Sequence, residues 1–80
     1  MSVTYYVALP FIRMEDGVEP GQAQEMPSES AAIRRAEAIA RDASNAGALA
    51  FKRSGDPAMG SFNDAVVLKT FGEVRRSGDN

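Results

Sequence analysis

The side chains that most often carry acid–base or metal chemistry are absent, since the 80 residues include no His and no Cys. Without them the commonest general base, thiolate nucleophiles, disulfides and thiolate metal sites are all excluded. What remains is Ser, Tyr, Lys, Arg and carboxylates, and their spacing has to be tested case by case. Gly55 and Gly60 have the spacing that opens a phosphate-binding loop. That loop continues with Lys and then Ser or Thr, whereas Ser61-Phe62 follows here, so turn chemistry explains the glycines better. Asp56 and Asp64 are two carboxylates near one loop, the minimum for a Mg²⁺ or acid–base pair. Asp56 precedes Pro57, a common turn arrangement, and Asp64 is equally at home ending a turn. Tyr5-Tyr6 offers phenols with no base beside them, which reads as strand packing with hydroxyls at the rim. No catalytic residue, metal ligand or cofactor is assigned.

One cluster supports binding. Lys52 and Arg53 lie across a loop from Phe62, and a cation beside an aromatic ring can pair with phosphate while a base stacks. The charge balance weighs against nucleic acid, because 9 basic residues face 11 acidic ones for a net charge of −2. Arg34, Arg35 and Arg41 are interleaved with Glu37 and Asp42, as on an ordinary solvated helix face. Arg75-Arg76 completes the basic groups.

These residues are positioned by few elements, since the length allows one domain. Val3, Tyr5, Val7 and Leu9 alternate with Thr4, Tyr6 and Ala8, the period of a half-buried strand running to Arg13 with a kink at Pro10. Asp16-Gly17 and Pro20-Gly21 are turn signals, and Gln22 to Met26 makes a weak returning strand. Ser28 caps a helix with Glu29 at its positive end. Ala32, Ile33, Ala36, Ile39, Ala40 and Ala43 fall within about 120° of its circumference, and Gly47 is placed to stop it. Ala48 to Arg53 forms the next strand, expected to face the helix with Leu49 and Phe51. After a turn-rich stretch, Phe62 to Phe71 contains the most β-prone run.

The expected fold is α+β: an antiparallel sheet of three to four strands, ordered β-β-α-β-β along the chain, with one helix on one face. Residues 1–73 form that domain and 74–80 a disordered tail. One helix covers one face only, and Tyr6, Val67 and Phe71 are expected on the other, as an interface. The core is thin: 13 of the 35 hydrophobic residues are Ala. Dimerisation would add the burial that a small domain lacks. No apolar run reaches the ~20 residues of a membrane span, and the N-terminus lacks a signal-peptide pattern, so a cytoplasmic location is expected.

The helix from Pro27-Ser28, then Gly47-Ala48-Leu49-Ala50-Phe51, Ser54-Gly55-Asp56-Pro57 and Asp64-Ala65-Val66-Val67-Leu68, resembles a group of small bacterial proteins. The resemblance covers about two thirds of the chain. It implies a bacterial origin and carries no activity or ligand with it. The leading expectation is therefore a non-catalytic interaction or regulatory module that pairs with itself or another protein. The alternative is a nucleic-acid or anionic-ligand binder using Lys52, Arg53 and Phe62.

Overall fold

The computed structural model describes residues 2–74. The chain order is β1 (Val3–Met14), β2 (Gly17–Pro20), β3 (Gln24–Met26), α1 (Glu29–Arg41), β4 (Asn45–Asp56), β5 (Ser61–Phe62) and β6 (Val66–Gly72). The class is α+β, with one helix against a wholly antiparallel sheet. The sheet has six strands, not three or four, and the simple β-β-α-β-β order does not hold. The reason is that both outer positions are broken. β2 and β3 share one edge of β1, while β5 and β6 share the far edge of β4. Of the expected tail, Val74 follows β6 half-buried and outside regular structure; residues 75–80 lie outside the described residues.

β1 and β4 are the backbone of the sheet, paired from Val3–Gly55 to Ile12–Asn45. β1 passes through Pro10 without breaking. The Pro10 carbonyl accepts from Gly21 N–H at 2.8 Å, so this residue's polar side faces the gap between β2 and β3. In a strand the N–H and C=O of one residue point to the same edge, so the missing proline N–H costs no bond to β4.

The helix begins as its sequence dictates. Ser28 Oγ accepts from Ala31 N–H at 3.2 Å, with Glu29 in the first turn. It ends six residues before Gly47, which lies inside β4. Side chains stop it instead. Asp42 is extended and its carboxylate accepts from the Ser44 N–H and hydroxyl, while Asn45 Nδ2 donates to the Ile39 carbonyl. A carboxylate that bonds the backbone two residues on offers a turn in competition with another helical bond. Ala43 consequently sits exposed in that turn and not in the helix stripe.

The core under the helix is built almost entirely of alanine. Ala32, Ala36 and Ile39 pack on Ala8, Ala48 and Ala50, with Tyr6, Met26, Ile33, Ala40, Leu68 and Phe71 around them. This reverses the expected orientation of β4, because Leu49 and Phe51 point away from the helix. A helix stripe of alanines approaches a sheet closely and meets its small residues, whereas larger side chains would hold the layers apart. β6 also departs from simple alternation. Ala50 pairs with Lys69 but Phe51 with Val67, leaving Leu68 as the extra residue of a bulge. One added residue exchanges the faces beyond it. Phe71 therefore turns to the helix side, while Val67 stays on the other.

Candidate functional site

The face of the sheet away from the helix is paved by cross-strand pairs of β1 and β4: Tyr5–Arg53, Val7–Phe51, Leu9–Leu49 and Phe11–Gly47. Val67 continues it beside Phe51 on β6. Most of the larger apolar side chains of the two central strands thus lie on the side the helix does not cover, Tyr6 and Ile12 being exceptions.

Two backbone crossings bound this face. A Cβ on Gly47 would lie 2.4 Å from the Phe71 and Glu73 carbonyl oxygens, so the chain at residues 71–73 passes directly over that glycine. Gly72, at φ +68°, makes the bend. The crossing is held by Glu73 N–H donating to the Ala46 carbonyl and by Arg13 Nη1 donating to Glu73 Oε1 at 2.9 Å. At this closed end Phe11 is 1% exposed and Leu49 7%. At the opposite end a Cβ on Gly55 would meet the Ser61 carbonyl at 2.4 Å and the Phe62 ring at 2.5 Å. Between the crossings the open part of the face, a trough in the sense that both its ends are closed, carries Val7, Leu9 and Phe51 half-buried, with Val67 on its flank, 41% exposed.

The Gly55 end is aromatic and cationic. The Arg53 guanidinium sits 5.5 Å from the Phe62 ring centroid and its Nε donates to the Asn63 carbonyl at 2.9 Å. Tyr5 and Phe62 lie 6.1 Å apart, tilted by 43°. Such contacts are worth about 0.5–1.5 kcal/mol each and fix the corner more than they stabilise the fold. Two of the three expected binding residues, Arg53 and Phe62, therefore meet. Lys52 does not join them, since it points to the helix side opposite Tyr6 and Val66. Tyr5 was not among the expected binding residues, although its alternation with Tyr6 in β1 was readable.

Of the three residues expected on the uncovered face, Val67 is there. Tyr6 and Phe71 are not: both pack against the cluster under the helix. For Phe71 the cause is the bulge at Leu68; for Tyr6 it is the helix's choice of the small-residue face. The Lys69 ammonium lies 5.4 Å from the Phe71 ring centroid on that same side.

The remaining candidates are local. Asp56 accepts from Ala58 N–H at 3.0 Å, closing the turn before β5, and Gly60 at φ +65° completes it. Among the described residues no three carboxylates gather as a metal-binding group. A second concavity of about 320 Å³ lies between α1 and β1, lined by Pro10, Gln24, Arg35, Ile39, Asp42 and Asn45 among others. Its polar groups are engaged with one another. Arg35 Nε donates to Gln24 Oε1 at 2.8 Å, and the two Ser44 hydrogen bonds hold the Asp42 carboxyl below the usual aspartate range. No described helix is long and apolar enough to cross a membrane. No protein-family model, curated protein or solved structure matches this chain.

Proposed function

We propose that this chain is a non-catalytic interaction module that recognises another protein surface through the trough on the open face of its sheet. One observation carries the reading. The helix covers Ala8, Ala48 and Ala50, while Val7, Leu9, Leu49 and Phe51 lie on the face without a helix. Val7, Leu9 and Phe51 are only half-buried there, and covering their remaining surface is worth about 25 cal/mol per Å² of apolar area. A chain with so few large apolar residues gains by placing them there when a partner completes their burial. A bacterial origin for the module is supported by its sequence resemblance alone.

Anionic-ligand binding is the second reading, favoured by the Arg53–Phe62–Tyr5 corner, where a guanidinium and two rings share one edge of the trough. Lys52 takes no part in it. The two readings meet at one surface, because that corner also forms a rim able to anchor a protein partner.

The test is photo-crosslinking in the native host from position 67, on the trough, against position 38, on the exposed side of the helix. The reading predicts protein adducts from position 67 and none above background from position 38. Equal yields from both, or none from position 67, would contradict it.

A further inference from the structure

We infer that residues 72–74 form a strap that a partner displaces, so that the closed end of the open face becomes part of the interface. The inference rests on the reading of that face as an interface and adds how its extent is controlled.

The burial of Phe11 is the starting point. It is the largest fully buried side chain, yet it stands on the face that the helix leaves uncovered. Its row across the sheet reads Pro20, Phe11, Gly47, Gly72. The β4 side of that row therefore carries no side chain at all. Backbone fills the space instead, since a Cβ on Gly47 would collide with the carbonyl oxygens of Phe71 and Glu73. The next row shows the same bias. Leu49, on the strap's side, is 7% exposed, while its cross-strand partner Leu9 is half-buried.

The strap itself is lightly held. Glu73 N–H donates to the Ala46 carbonyl at 3.1 Å, and the Arg13–Glu73 ion pair is exposed on both sides, at 61% and 64%. Gly72 and Glu73 are exposed and Val74 is half-buried, so little apolar surface anchors the segment. Gly72, at φ +68°, supplies a hinge that a side chain would strain. A short segment with few buried apolar contacts and an exposed ion pair opens at far lower cost than the strands beneath it. Opening bares Phe11, Leu49 and the slot over Gly47, which continue the strip of Val7, Leu9 and Phe51. A partner that fits the longer strip gains surface that the closed form does not offer, and its binding shifts the strap open.

Gly72→Ala in the full chain tests this, because its Cβ is strained at that φ and would stand 2.7 Å from the Ala46 carbonyl oxygen. In the unaltered chain the Glu73 amide should exchange with solvent through a local opening, well ahead of the amides between β1 and β4. Gly72→Ala should speed that exchange by roughly tenfold, the cost of an L residue in the left-handed region, with β1–β4 protection kept. The Leu49 methyls should become accessible to a soluble paramagnetic probe in step. Photo-crosslinking from position 67 in the native host should rise by up to the same factor, because apparent affinity scales with the fraction of chains that are open. If Gly72→Ala lowers protection of the whole sheet, Glu73→Gln carries the test, with exchange faster by about two- to fivefold. A Glu73 amide that exchanges only together with the central strands overturns the strap, as do Leu49 methyls that stay shielded while exchange speeds up. Adducts from position 67 that do not increase in the opened variant overturn displacement by a partner and leave the interface reading standing. No adducts from position 67 in either chain ends both.

Discussion

A missing side chain does as much here as any present one. Gly47 lies in the second central strand with the backbone of residues 71–73 immediately above it, and no Cβ fits in that space. The close approach lets the end of β6 close one end of the open face beside Phe11 and Leu49. Gly47→Ala must push the crossing away or bend β4. It is expected to destabilise the fold by about 1–3 kcal/mol, the cost of overpacking a filled site. Chemical denaturation would show this as a lower midpoint, with the Arg13–Glu73 contact loosened. That pair is exposed and worth little alone, so it marks the crossing more than it holds it. Arg53 is a similar case, with its guanidinium on Phe62 and its Nε on a carbonyl. The bond to the Asn63 carbonyl could not be read from sequence, because it depends on where β5 turns back. The pairing of Arg53 with Phe62 was still legible, since a tight loop after a strand brings its two sides together.

At the scale of elements, the helix was legible at its start and in its stripe, but not at its end. Ser28 and the Ala/Ile periodicity are local signals, and the structure uses them as written. Gly47 is an equally good local signal for a helix end, yet Asp42, Ser44 and Asn45 act first. Their hydrogen bonds predict a pH effect. The Asp42 carboxyl is held below its ordinary range by the backbone and side-chain bonds from Ser44. A depressed folded value means that the carboxylate supports the folded state fully above the unfolded value. That support is lost as pH falls through the folded one. Ser44→Ala should raise the Asp42 value toward that of a free aspartate, as followed by NMR titration of its carboxyl carbon. An unchanged titration would show that Ser44 does not hold it. The strands were legible as strands but not by face. Period-two alternation gives two sets of residues without saying which set the helix takes, and hydrophobicity favours the wrong one here. An alanine-rich helix selects the small set. The bulge at Leu68, invisible in the pattern of β6, then moves Phe71 across.

For the whole molecule, the consequence is a domain with two unequal layers of burial. The helix side is closed and tight, with alanines at 0% exposure. The other side has bulk, two closed ends and an open middle. A domain this small has little stability to spare, so leaving Val7, Leu9 and Phe51 partly open to water makes sense when association completes their burial. A partner bound there should then raise the melting temperature of the domain. The broken outer strands fit the same picture. β2 and β3 are short, with Pro20 on one of them, which discourages sheet extension at that edge.

The central claim is that the open face of the sheet is an interface. Its most direct test is the accessibility of methyl groups to a soluble paramagnetic probe, for the isotope-labelled chain alone and in extract of its native host. Val7, Leu9 and Val67 should broaden in the chain alone and be shielded in the extract, while Ile12 and Val66, exposed on the helix side of the sheet, should be broadened in both. Methyls of Val7, Leu9 and Val67 that are equally accessible in both samples would contradict the account.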